Sequence, residues 1–207
     1  EATARLLRER NLVGTFATFS RLFAADAAAQ AQLLRDIEYA ARLGSPFLRV
    51  FQGDLPAEGA GGWENAREAI AYTESLGIQL ALENFGGPPG HRATDIKLVL
   101  DRLDSPALVT NFDIGNYFAN HEDIDTALGL LGSKVVCTHL KDNASEDGMP
   151  AQPLGGGAMP MAAIMTALDA LPQDVFYCFE FGGGDNADER IAQSLRYLEA
   201  HWAGSAT

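Results

Sequence analysis

Short apolar runs alternate along the chain with stretches in which apolar residues recur every three or four positions, the pattern of strands alternating with amphipathic helices. Leu12–Phe19 predicts a strand, followed by a helix over Ala27–Leu43 with Leu33, Leu34, Ile37, Ala40 and Ala41 on one face and Gly44 as its stop. The unit then repeats. Phe47–Phe51 predicts a strand, Glu64–Leu76 a helix closed by Gly77, and Ile78–Glu83 a strand, after which Thr94 is a suitable N-cap for a helix reaching Leu103. Strands over Leu108–Asp113, Val135–His139 and Val175–Glu180 then alternate with helices near Asp123–Leu131, Pro160–Leu171 and Asp188–Trp202. A helical piece at Ala2–Arg10 comes before all of these. Strands and helices of this length imply right-handed crossovers and a parallel sheet covered by helices. With no linker or low-complexity tract, the expectation is a single domain over residues 1–207.

Four of the predicted strands end in a side chain able to hold a metal: Glu83, Asp113, His139 and Glu180. In a parallel barrel the carboxyl ends of the strands open onto one face, so residues far apart in sequence converge there. A single acid at a strand end more commonly caps a helix. Three carboxylates and an imidazole together make a hard, oxygen-rich site for one divalent cation of the Mn, Mg, Co or Zn kind. The glycine-rich pieces at Gly53–Gly62, Gly86–Gly90, Gly155–Gly157 and Gly182–Gly184 follow strands but match neither the GxGxxG nor the Walker spacing.

Composition narrows the partners. At 207 residues, with 47% hydrophobic and 21% charged, the chain can bury a sizeable core. A formal net charge of -13 repels a phosphate backbone and argues against non-specific nucleic-acid binding. No apolar run approaches the roughly 20 residues a membrane-spanning helix needs, and the charged start at Glu1–Arg10 has no signal-peptide pattern, so a cytoplasmic protein with no membrane partner is expected. Cys137 and Cys178 each lie two residues before a proposed ligand; buried reduced thiols are the favoured reading over a disulfide or a soft ligand. Arg49 faces either an inward anionic group or outward under a helix, and strand parity alone does not decide. Trp63 and Phe85 suit either an apolar wall over a sugar ring or simple packing, while Phe16, Phe19, Phe47 and Phe51 are expected to pack the core and barrel mouth. His91 is expected in a loop, and His121 and His201 at solvated helix ends.

Five segments in order, Leu82-Glu83-Asn84, Asp113-Ile114-Gly115-Asn116, His139-Leu140-Lys141-Asp142, Pro153-Leu154-Gly155-Gly156-Gly157 and Phe179-Glu180, resemble the xylose isomerase-like TIM-barrel superfamily. That superfamily holds sugar phosphate isomerases and epimerases, ketose 3-epimerases, hydroxypyruvate isomerase, inosose dehydratase and endonuclease IV. The resemblance runs from about Leu12 to Trp202 and implies metal ligation by Glu83, Asp113, His139 and Glu180. If Glu180 ends the eighth strand, Leu12–Phe19 is the third. The expectation is therefore an α/β fold, a TIM-type barrel truncated at its N-terminal side to six parallel strands, three to eight, because complete barrels run to about 250 residues. Its open edges would invite pairing or cover by another chain.

The chain departs from the superfamily at Asn116, where endonuclease IV has a further histidine, at Gly155–Gly157, where many relatives carry Gly-Glu-Gly, and at Phe85, where a histidine is frequent. The first of these, with the acidic surface, weighs against a DNA-repair role. The activity implied is that of a divalent-metal-dependent isomerase or epimerase of a small ketose or keto sugar, phosphorylated or not, working through an enediolate. Glu83 and Glu180 would move the protons while touching the metal. Asn116 and Lys141 would reach oxygens of a sugar or keto-acid substrate, against the blander readings of turn residue and surface salt bridge. A keto-polyol dehydratase or a non-catalytic member are the alternatives on the same scaffold, and a homodimer is compatible with the family.

Overall fold

The computed structural model describes residues 2–145 and 150–202. Its six parallel strands are β1 (Phe16–Arg21), β2 (Phe47–Phe51), β3 (Gln79–Glu83), β4 (Leu108–Asp113), β5 (Val135–Leu140) and β8 (Phe176–Phe179). The strand order β1-β2-β3-β4-β5-β8 follows the chain, as in a sheet that winds in one direction. A two-residue antiparallel pair, β6 (Asp142–Asn143) and β7 (Ala151–Gln152), lies between β5 and β8 in sequence and was not expected. The helices are α1 (Ala2–Glu9), α2 (Ala27–Leu43), α3 (Gly62–Ser75), α4 (Ala93–Leu103), α5 (Ile114–Ala119), α6 (Ile124–Leu131), α7 (Met161–Asp169) and α8 (Ala187–His201). The chain divides into two compact units, Glu1–Glu83 with Asp95–Asn111, and Asn84–Thr94 with Phe112–Thr207.

In the first unit, α2 shows how local chemistry sets an element's ends. The Asp26 carboxylate accepts the Ala29 N–H at 2.8 Å, and Gly44, at φ +82°, returns its own N–H to the carbonyls of Ala40 and Ala41. Between these caps Leu33, Ile37 and Ala40 are buried. Asp36, on the same face, is buried too, and its carboxylate accepts from Thr18 Oγ1, Ser20 Oγ and Gln32 Nε2, each at 2.7 Å, which compensates its desolvation. The register of β2 on β3 is continuous from Phe47↔Gln79 to Phe51↔Glu83, and that of β3 on β4 runs from Leu80↔Leu108 to Glu83↔Asn111. Leu48, Val50, Leu80, Leu82 and Leu108 from these strands are buried in the core.

The first strand begins later than its hydrophobicity suggests. Asn11 takes a left-handed conformation at φ +52°, and Leu12 N–H bonds back to the Leu7 carbonyl at 2.9 Å, so residues 11 and 12 close α1 and leave the strand to start at Phe16. Leu12 and Val13 are exposed in consequence. Thr94 is also not a cap. The helix starts one residue earlier at Ala93, whose N–H is taken by the carboxylate of Glu122 at 3.1 Å, a partner that sequence proximity could not supply.

Of the four phenylalanines expected to pack, Phe47 is buried, Phe16 and Phe51 are half-buried, and Phe19 is 84% exposed. The correction at Phe19 follows from β1 being the first strand in the sheet order, with β2 as its one neighbour. Trp63 is buried edge-on to Phe23, 4.8 Å between centroids, with the Arg102 guanidinium 3.9 Å above its ring, so it packs.

In the second unit, β5 pairs with β8 from Cys137↔Phe176 to Leu140↔Phe179, and Glu180 N–H extends the ladder to the Leu140 carbonyl at 3.0 Å. Cys137 is buried but Cys178 is exposed, and neither forms a disulfide. Cys178 escapes burial because β8 is the last strand in the order, with alternate residues Phe176 and Cys178 uncovered. His91 lies in a loop, His121 is exposed at φ +53° beyond α5, and His201 is the exposed last residue of α8. No described helix is long and apolar enough to cross a membrane.

Candidate metal centre

Asp113 ends β4 and at the same time caps α5. Its Oδ1 accepts the Asn116 N–H at 2.9 Å, while its Oδ2 stands 2.7 Å from Lys141 Nζ and 3.6 Å from His139 Nδ1. One oxygen fixes the carboxylate and the other is presented to the site. Asn84 holds the backbone behind it: its amide group donates to the Asp113 carbonyl at 2.9 Å and accepts the Asp113 N–H at 2.8 Å. The Asn84 carbonyl in turn receives the Asn116 side-chain amide at 2.9 Å, so Asn116 is tied into this clamp.

His139 and Lys141 come from β5 and the residue beyond it. His139 Nδ1 is 3.2 Å from Glu180 Oε2, and Lys141 Nζ is 2.5 Å from the same oxygen. Lys141 is therefore not a surface salt bridge, since its side chain is 12% exposed and bridges two acids. Its methylenes lie against Gly115, where a built Cβ would meet Cγ, Cδ and Cε at 2.6 to 2.7 Å. Beside it Asn143 donates to the Gly115 carbonyl at 2.8 Å, and the buried Asp142 carboxylate takes the N–H groups of Gly157 and Met159 at 2.9 and 3.0 Å. Gly157 leaves no room for a Cβ against Asp142, which gives a packing reason for the third glycine of Gly155–Gly157.

Glu83 ends β3 with its side chain 4% exposed. Arg49 Nε reaches its Oε2 at 2.7 Å, and Asn111 Nδ2 donates to the same oxygen at 3.2 Å. The guanidinium also donates to the Thr18 carbonyl at 2.8 Å and lies 4.7 Å above the Phe51 ring. Arg49 thus shares the face of Glu83, a question settled by the pairing of Arg49 with Ala81, two residues along the strand from Glu83. Asn111 was missed by sequence reading, although its position two residues before Asp113 places it on the same face of β4. Phe85 remains exposed.

Glu83, Asp113, His139 and Glu180 form the one group of described acids, imidazoles and thiols placed to hold a metal ion, each offering one ligand atom with all four within 4.8 Å of one another. The donor set, largely buried and made of three carboxylates and one imidazole, fits a divalent cation preferring oxygen and nitrogen.

The charges of this cluster are coupled. Burial pushes the Glu180 carboxyl up, but His139 and Lys141 outweigh it and hold the group well below its ordinary 4.5. Burial likewise pulls Lys141 down, and the carboxylates of Asp113 and Glu180 outweigh it, raising the ammonium above 10.5. A depressed carboxyl stabilises the fold above its unfolded pKa and loses that contribution as pH falls through the folded value; a raised ammonium does so below its unfolded pKa and loses it as pH rises through the folded value. With chelator present, urea midpoints are therefore expected to fall on the acid side of pH 4.5 and the alkaline side of 10.5. Glu180→Gln should flatten the acid limb; an unchanged acid limb would show that Glu180 has no such linkage.

The model of the xylose isomerase-like TIM barrel family matches residues 1–201, and the chain belongs to that family. No curated protein sequence matches it. Among solved structures it is similar to a xylose isomerase domain protein from Planctomyces limnophilus, with 18% identity and a TM-score of 0.81 over 99% of this chain and 83% of the other. It is also similar to a D-allulose 3-epimerase from Methylomonas sp., with 17% identity and a TM-score of 0.77 over 97% and 81%. A third is a probable 3-DHS dehydratase of petrobactin synthesis from Bacillus anthracis, with 15% identity and a TM-score of 0.79 over 96% and 80%. At these identities the likeness is one of fold, and it places the six parallel strands and their helices as those of an incomplete TIM-type α/β barrel.

Proposed function

We propose that the protein is a divalent-metal-dependent isomerase or epimerase of a small ketose or keto sugar, acting through an enediolate. The observation that carries this reading is the grouping of two glutamates with an aspartate and a histidine within 4.8 Å. A divalent ion held by Glu83, Asp113, His139 and Glu180 would polarise a substrate carbonyl and its neighbouring hydroxyl. The chain's own residues do the rest. Asp113, fixed through Oδ1 and Asn84, and His139 serve as ligands. Glu83 and Glu180 exchange protons with the substrate carbon, one removing and the other returning. Lys141 supplies a positive group for a substrate oxygen once it leaves the carboxylates, and Asn116 shapes the same wall. Support comes from family membership and from the 3-epimerase among the similar structures.

A lyase reading has its own support in the similarity to a probable 3-DHS dehydratase. The same carboxylates would then remove a proton and expel a β-hydroxyl as water. One experiment separates the readings: metal content of the purified chain, then solvent deuterium incorporation into a panel of ketoses and keto acids followed by NMR. Metal-dependent exchange with no loss of water supports the isomerase, and an unsaturated product supports the lyase. A protein that holds no divalent metal and exchanges nothing sinks both.

A further inference from the structure

We infer that Lys141 is a built-in cation of this centre, competing with a divalent ion for Asp113 and Glu180 and so setting how tightly the centre takes metal; this rests on the metal reading above. The ammonium sits 2.7 Å from Asp113 Oδ2 and 2.5 Å from Glu180 Oε2, the same two oxygens that face His139 Nδ1 at 3.6 and 3.2 Å. The lysine therefore sits on two of the four residues grouped to hold a metal. A divalent ion drawn to those oxygens meets a unit positive charge in a largely buried site, where screening by water is weak.

The lysine's place is prepared by the backbone. Its stem crosses the first turn of α5 at Gly115, where a methyl group would come within 2.6 to 2.7 Å of three successive side-chain carbons. Gly115 has a further neighbour in Asn143, which holds its carbonyl at 2.8 Å and keeps the turn against the lysine. Glycine thus permits the close approach that brings the ammonium onto both carboxylates, and alanine there would lift it away while leaving its charge in the protein. Metal entry, in this arrangement, turns Lys141 from a counter-ion of the ligands into a free cation at the site.

The test is a Mn²⁺ titration by calorimetry of the chelator-treated full chain, comparing wild type with Lys141→Met and Gly115→Ala, and with Asp113→Asn as the ligand-deficient control. Both variants are expected to bind Mn²⁺ about tenfold or more tightly than wild type. In chelator, Lys141→Met should also melt at a lower temperature, because two neighbouring carboxylates lose their shared cation. Mn²⁺ affinity that is unchanged or weaker in both variants overturns the inference while leaving the metal centre standing. Binding in wild type no better than in Asp113→Asn overturns the centre and the inference together. If Lys141→Met fails to fold, Gly115→Ala decides alone, since it moves the lysine without removing it.

Discussion

Glu180→Gln is expected to lower metal-dependent proton exchange by about 10²- to 10⁴-fold, the range over which a positioned acid or base contributes. Glutamine keeps the shape of the side chain and can still accept from Lys141 and face His139, so comparison at saturating metal separates proton transfer from the weakened ligand. Glu180 has a constraint of its own. Held well below the ordinary carboxyl range by His139 and Lys141, it is a poor base while the ammonium rests on it. Its basicity rises when an anionic oxygen of the substrate draws Lys141 away from it. The variant should therefore lose exchange even at saturating metal, and its loss should appear in kcat more than in KM. Deuterium incorporation followed by NMR at several Mn²⁺ concentrations measures this. Exchange within threefold of wild type at saturation would remove Glu180 from the proton path and leave Glu83 as the one candidate.

The strands and their polar endings were legible because each signal is local. A buried parallel strand reads as a short apolar run, as in Leu108–Asp113, whose six residues are all buried. The end of α2, written in the single residue Gly44, was equally plain. What could not be read depended on partners distant in sequence. The cap of α4 is Glu122 and not Thr94. The side taken by Arg49 requires the register of β2 on β3. The burial of Cys178 and Phe19 depends on which strands stand next to β8 and β1. Helix α5 was missed because its six residues, Ile-Gly-Asn-Tyr-Phe-Ala, carry no amphipathic stripe and are held by the Asp113 cap and the burial of Ile114 and Tyr117. At the site, residue types and order announced the four candidate ligands. The contact of Lys141 with two of them depends on Gly115, in α5, and no spacing rule points to that.

Arg49→Met is expected to destabilise the chain by about 3–5 kcal/mol in the presence of chelator, the cost of leaving one member of a buried ion pair without the other. The side chains of Arg49 and Glu83 are 12% and 4% exposed, with Nε and Oε2 2.7 Å apart. Water cannot replace the guanidinium there, and the Asn111 amide at 3.2 Å supplies a dipole but no charge. Methionine retains much of the apolar stem that lies along Phe51, so packing is largely kept. Urea unfolding gives the number, and the double variant Arg49→Met/Glu83→Gln separates the causes. Removing both charges should recover most of the loss, since the penalty belongs to the stranded carboxylate. Failure to recover would place the cost in the hydrogen bond to the Thr18 carbonyl and the stacking on Phe51. Excess Mn²⁺ supplies a third arm: a cation at the proposed centre gives Glu83 a new partner, so the single variant should regain stability with metal and the double variant, lacking that carboxylate, should regain less. A single variant within 1 kcal/mol of wild type would mean that Glu83 tolerates isolation, and the buried pair would then lose its claim to hold this carboxylate in place.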